Sequence, residues 1–174
     1  MSKTDNLNDN ISRLREISSE MSSRSKDDDL SLSSKKITSS SAPKAIGPYH
    51  QATTVNNMLF VSGQIGLDPQ TGELVGAGIK EQTLQCLANI KAIVNEADFG
   101  KVQIVRMVIY LTDINDFEAF NEAYGSFFKK EAAPARTTVA VSALPKNAKV
   151  EIEATAVREH AMFLDSMRYR VARR

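Results

Sequence analysis

Pro134-Ala-Arg-Thr-Thr-Val-Ala-Val-Ser-Ala-Leu-Pro-Lys-Asn-Ala-Lys-Val-Glu-Ile-Glu153 is the stretch on which the fold turns. It reads as two β-branched strands joined by a Pro145-Lys146-Asn147 loop, and each strand carries a charge where a buried strand would not want one. Arg136 opens the first strand and Glu153 sits midway along the second. An arginine fork matches a carboxylate through two parallel hydrogen bonds, each contributing about 1.5–3 kcal/mol when shielded from water. The pattern predicts a hairpin and points to a small anionic ligand.

Working outward, Val150, Ile152, Ala154 and Ala156 point to one side of the second strand, and Glu151, Glu153, Thr155 and Val157 to the other. Upstream, Asn115 and Glu118 read as a helix start with Asn115 as cap, and Phe117, Phe120, Tyr124, Phe127 and Phe128 supply that helix's buried stripe. Before it, Val102 to Leu111 is apolar on both faces except at Gln103 and Arg106, which suits an interior strand. Ile79, Thr83, Cys86, Leu87, Ile90, Val94 and Ala97 line one side of a helix of about five turns. His50 to Val55 and Met58 to Ser62 flank Asn56-Asn57 and make a first hairpin, with Gly63 allowing close approach of a ligand or a neighbouring backbone.

The order hairpin, helix, strand, helix, hairpin predicts an α+β domain in which two helices cover one face of a mixed sheet. The uncovered face carries apolar residues such as Val139 and Val157. Self-association would cover it at a gain of roughly 25 cal/mol per Å² of apolar surface, and a ligand site at the seam between subunits follows naturally.

A chain of 174 residues accommodates one domain with tails. The domain is expected over 42–158. Residues 1–41, rich in Ser, Asn, Asp and Lys, are expected to be mostly disordered apart from one amphipathic helix through Leu7, Ile11, Leu14, Ile17 and Met21. Residues 159–174 form a basic tail with Arg168, Arg170, Arg173 and Arg174. With 22 basic and 21 acidic residues, no overall field favours nucleic acid or an anionic membrane. Cys86 is the only cysteine, which rules out an intrachain disulfide and suits a reducing compartment. No apolar run approaches the roughly 20 residues of a membrane span. A cytoplasmic location is expected; Asp5, Asp9, Glu16, Glu20 and Asp27 to Asp29 speak against a mitochondrial leader.

No metal or cofactor is expected, because the chain has no His/Cys cluster and no phosphate-cradling glycine loop. The candidate site residues are Arg136, Glu153, Tyr49, Ser62, Gly63 and Asn121. Each has a duller reading. Arg136 clamps a carboxylate or forms a cross-strand ion pair with Glu153 or Glu151. Glu153 holds a water or merely pairs. Tyr49 hydrogen-bonds a ligand or is a hairpin-edge aromatic, Ser62 and the Gly63 amide bind an oxygen atom or end a strand, and Asn121 is a capping or helix-packing residue or part of the site.

Six motifs, Ala45-Ile-Gly-Pro-Tyr49, Phe60-Val-Ser-Gly-Gln-Ile65, Asp68-Pro-Gln-Thr-Gly-Glu73, Asn115-Asp-Phe-Glu-Ala-Phe-Asn121, Pro134-Ala-Arg-Thr137 and Val150-Glu-Ile-Glu-Ala-Thr-Ala-Val157, occur in the order seen in the RidA/YjgF family of reactive imine deaminases, which the chain closely resembles from Ala42 to Arg158. The resemblance implies a chorismate-mutase-like fold and a homotrimer built as a central barrel with clefts between subunits. It implies hydrolysis of enamines and imines such as 2-aminoacrylate and 2-iminobutanoate to 2-keto acids and ammonia, without metal or cofactor. Carried over, Arg136 looks like the carboxylate-binding residue and Glu153 like the acid that holds the attacking water. Tyr49, Ser62, Gly63, Asn121 and Thr138 line the cleft, with Thr138 where many relatives have cysteine. Members of the family have also been described as ribonucleases and translation inhibitors, and a non-catalytic 2-keto-acid-binding regulator or chaperone is a further alternative. Nucleic acid is not expected as a partner.

Overall fold

The computed structural model describes residues 11–20, 34–98, 102–128 and 130–158. In chain order these form α1 (residues 11–20), β1 (Ser34–Ile37), β2 (Ala52–Val55), β3 (Met58–Ile65), α2 (Ile79–Glu96), β4 (Val102–Leu111), α3 (Phe117–Phe127), β5 (Ala135–Ala140) and β6 (Val150–Arg158). α1 falls within the stretch whose spacing predicts a helix. The other expectations for residues 1–33, and those for 159–174, lie outside the described residues.

The first hairpin forms as predicted. Asn56 takes a φ of 54°, a left-handed conformation that asparagine tolerates, and the two-residue turn sets Val55 opposite Met58. One further strand precedes it. Ser34–Ile37, inside the extension expected to be mostly disordered, pairs antiparallel with β2 and starts the sheet before Ala42. Its Lys35 and Lys36 are exposed while Ile37 is buried, a composition that keeps an edge strand from recruiting another chain.

The six strands run in the order β1-β2-β3-β6-β4-β5, with β4 and β5 parallel and all other pairs antiparallel. The predicted second hairpin is therefore corrected: β5 and β6 do not pair, because β4 lies between them. Two physical features explain the difference. Residues 141–149 are too long for a tight turn and span the width of one strand, with Lys146 and Asn147 at φ 55° and 56° reversing the chain. In addition, α3 is the crossover of a β4-α3-β5 unit, and a helical crossover returns its second strand parallel to the first.

One face of this sheet is dry. The β6 alternation reads out as expected, with Val150, Ile152, Ala154 and Ala156 buried beside Met107, Ile109 and Leu111 of β4. α2 buries Ile79, Cys86, Leu87, Ile90 and Ile93 against them, and α3 adds Phe120 and Tyr124. Full burial of each large side chain contributes roughly 1.5–3 kcal/mol. The Cys86 thiol belongs to this core, and burial pushes its pKa far up, as for an inert structural thiol.

Two polar residues on the same α2 face tie the loops down, a role the hydrophobic pattern does not reveal. Gln82 donates to Gly76 O and accepts from the Lys149 amide, and Asn89 donates to the carbonyls of Ile65 and Leu67. The start of α3 also differs from the sequence reading. Asp113, not Asn115, is the cap: its carboxylate accepts the Asn115 amide at 2.9 Å and opens a 3₁₀ turn over Ile114–Asp116 that leads into the helix. No described helix is long and apolar enough to cross a membrane.

Candidate active site

The sheet divides the predicted site residues into two groups. Arg136 stands opposite Met107 in the parallel β4–β5 register, so its side chain leaves the sheet on the helix-covered side. There its guanidinium carbon lies 4.9 Å from the ring centre of Tyr124, 5.4 Å from Phe120 and 5.7 Å from Phe117. These distances fall within cation–π range. No acidic side chain among the described residues pairs with it. The cross-strand pair with Glu151 or Glu153 is thereby excluded, since both leave β6 on the opposite side and β4 intervenes.

Two other candidates share this location. Thr138, two residues along β5, stands opposite Ile109 on the same side as Arg136. Its hydroxyl oxygen is buried and has no hydrogen-bond partner among the described residues. Asn121 is half-buried on α3, four residues after Phe117 and three before Tyr124, which places it on the helix face that meets the guanidinium. An unsatisfied buried hydroxyl costs about 1–3 kcal/mol. Thr138→Val, of nearly the same shape, is accordingly expected to raise stability by about 1 kcal/mol, read as a higher denaturant midpoint with unchanged m-value.

The second group forms around a bulge. The β3–β6 register slips between Val61 and Gln64, and the displaced residues are Ser62 and Gly63. Ser62 donates its hydroxyl to His50 O at 2.7 Å and its amide to Gln51 O at 3.0 Å, fixing the bulge to the preceding loop. Gly63 has a steric reason: a Cβ there would overlap the Glu151 Oε1. Tyr49, at the end of the same loop, shares with Gly63, Lys44, Ile46 and Gln64 a hollow of about 20 Å³, room for one water-sized molecule.

Two carboxylates stand on this open face. Glu151 is the one against the bulge, half-buried, and its pKa is raised by burial and then by the charge of Glu153. Glu153, two residues further along β6 and opposite the bulge in the strand register, accepts the Tyr110 hydroxyl at 3.2 Å. Burial and the Glu153 charge in turn raise the Tyr110 pKa. Sequence reading singled out Glu153; the geometry distinguishes Glu151 as the carboxyl beside Gly63. The strand pairing does not reveal this, since it sets Glu151 opposite Ile65 and leaves Glu153 opposite the bulge; only the side-chain geometry brings the Glu151 carboxyl to Gly63.

Within one chain the two groups do not meet. β5 lies two strand spacings from β6, roughly 10 Å, and three from β3, roughly 14 Å, and the groups face opposite sides of the sheet.

The model of the endoribonuclease L-PSP family matches residues 39–158, spanning both groups. The chain belongs to this family, the RidA/YjgF family. Human 2-iminobutanoate/2-iminopropanoate deaminase is 43% identical over 127 residues, covering 73% of this chain and 92% of that protein. A RutC family protein of Pyrococcus horikoshii is 49% identical over 123 residues, covering 71% of this chain and 97% of its own length. Among solved structures, Escherichia coli TdcF with bound serine has a TM-score of 0.67 at 45% identity, covering 72% of this chain and 99% of that one. The Escherichia coli YjgF gene product has a TM-score of 0.67 at 44% identity, with the same coverage. The RidA/YjgF match ends at Arg158, where β6 ends.

Proposed function

We propose that this chain hydrolyses reactive enamines and imines, 2-aminoacrylate with its tautomer 2-iminopropanoate and 2-iminobutanoate, to 2-keto acids and ammonia. The observation that carries this reading is Arg136: an arginine held against three aromatic rings, with no described carboxylate paired to it, keeps its planar fork of donors for a carboxylate ligand. Relatives at 43% and 45% identity named 2-iminobutanoate/2-iminopropanoate deaminase support the substrate class.

The two half-sites imply assembly. One productive centre needs the β5–α3 edge of one subunit against the Gly63 bulge of the next, and the family resemblance supports a homotrimer of chorismate-mutase-like type, with one cleft per seam, as that assembly. Exposed Met58, Phe60 and Val139 on the open face gain from that burial. The deaminase domain spans 42–158, with β1 added at the sheet edge from the N-terminal extension and the basic tail following. A lone buried thiol suits work in the cytoplasm.

In the cleft, Arg136 of one subunit holds the substrate carboxylate, while Asn121 and Thr138 line the same half-site. Tyr49, Ser62 and Gly63 line the other half. Glu151, protonated more readily than an ordinary carboxyl, donates a proton to the enamine carbon, giving the iminium, the protonated imine. The resulting carboxylate then takes a proton from the water that attacks the imine carbon. The reprotonated carboxyl then gives its proton to the carbinolamine nitrogen and takes the hydroxyl proton as the C–N bond breaks, which releases ammonia, leaves the 2-keto acid and restores the protonated carboxyl. Positioning and proton transfer suffice because every step already proceeds slowly in water. Glu153 is assigned the lesser part of raising the Glu151 pKa. With 22 basic and 21 acidic residues the chain offers no excess positive charge to a phosphate backbone, which disfavours the ribonuclease alternative.

The test generates 2-aminoacrylate in situ and follows pyruvate. Release several-fold faster than in buffer is expected at catalytic protein concentration. A rate equal to buffer, with 2-keto acid still bound, would instead support the regulator.

A further inference from the structure

We propose that Phe117, Phe120 and Tyr124 of α3 are the positioning residues of the carboxylate receptor, forming a three-walled aromatic seat that aims the Arg136 guanidinium before any ligand arrives. The inference rests on the deaminase reading for the identity of the ligand, but not for the seat itself.

Three observations carry it. Arg136 is an exposed residue on an edge strand, where a long side chain would otherwise sample many rotamers and lose that freedom on binding. Its guanidinium is nevertheless within 5.7 Å of three ring centres. An arginine held by carboxylates or carbonyls gives up N–H donors to them, whereas ring faces hold the cation and leave all five donors for a ligand.

The seat is itself rigid. Phe120 is wholly buried, and the Tyr124 ring packs 5.5 Å from Phe120 and 5.0 Å from Phe128. Among the described residues the Tyr124 hydroxyl reaches only the Met107 sulfur, at 3.4 Å, so the ring and not the hydroxyl is the working part. Phe117 is the outer wall, 38% exposed, and can be changed without opening the core.

The test uses the full chain and three variants, Phe117→Leu, Tyr124→Leu and Tyr124→Phe. The first readout is independent of catalysis: in ligand-free protein, the Arg136 Nε–H and Cδ–H resonances are expected upfield of free-arginine positions through ring currents. They move back in Phe117→Leu and Tyr124→Leu, and Tyr124→Phe, which keeps the ring, restores the shift. The second readout is titration with 2-oxobutanoate, whose Kd is expected to rise about 5- to 10-fold in the two leucine variants. KM rises in parallel and kcat changes less than twofold. Unshifted Arg136 resonances in the wild type overturn the seat whatever the activity. Ring-shifted resonances in a wild type that binds no 2-oxobutanoate and releases no pyruvate leave the geometry standing and sink the deaminase reading. Equal Kd for wild type and Phe117→Leu, with binding intact, overturns the positioning role alone. If Tyr124→Leu fails to fold, Phe117→Leu decides.

Discussion

Arg136→Lys lowers kcat/KM for 2-iminobutanoate by roughly 10- to 150-fold, the value of one lost charge-assisted hydrogen bond of about 1.5–3 kcal/mol. The charge is kept, so the loss isolates the planar fork that meets both carboxylate oxygens. The fold is expected to survive, because Arg136 is exposed on an edge strand and carries no described ion pair. Each cation–π contact at such a site contributes only about 0.5–1 kcal/mol. Steady-state kinetics beside a thermal melt checks this, and normal turnover by a folded lysine variant would remove Arg136 from the mechanism.

The second large effect separates two neighbouring carboxylates. Glu151→Gln is expected to reduce kcat roughly 100- to 10,000-fold, the usual range for removal of a general acid–base, while Glu153→Gln falls by less than tenfold. The bulge explains the difference, since the Glu151 carboxyl occupies the space that a side chain at Gly63 would fill, and Glu153 is already engaged by Tyr110. Glu153→Gln should also shift the pH–rate profile to lower pH, because the neighbouring charge is part of what raises the Glu151 pKa. Equal losses in the two variants would contradict the assignment.

Stability supplies a check that does not depend on turnover. Glu151 has a folded pKa above the ordinary 4.5, so the folded chain binds this proton more tightly than the unfolded chain. The associated stabilisation is complete below about pH 4.5 and is lost as pH rises through the folded value. Glu151→Gln should therefore melt above wild type near neutral pH, and the gap should close on acidification. A gap that widens towards acid would mean that the carboxylate is stabilised in the fold.

Periodicity carried much of the architecture. The Asn56-Asn57 turn, the five-turn α2, the interior β4 and the in–out alternation of β6 are all local properties, set by backbone preference and by which side chains avoid water. Capping was less legible at α3, where Asp113 and Asn115 are both competent and only the loop geometry chooses Asp113. β1 was hidden because a four-residue edge strand containing two lysines has almost the composition of a flexible tail.

The order of residues alone established the α+β class, the helix faces and the family motifs, and it singled out Arg136 as a candidate, since each depends on neighbours a few positions apart. Strand order and register are non-local, and they set Arg136 on the far side of the sheet from Gly63, while the three-dimensional course of the side chains at the bulge told which carboxyl meets that glycine. The reason is physical: a strand exposes its alternation in sequence, but its partner is chosen by the chain's return path, here by α3 carrying β5 parallel beside β4 and by residues 141–149 crossing to β6.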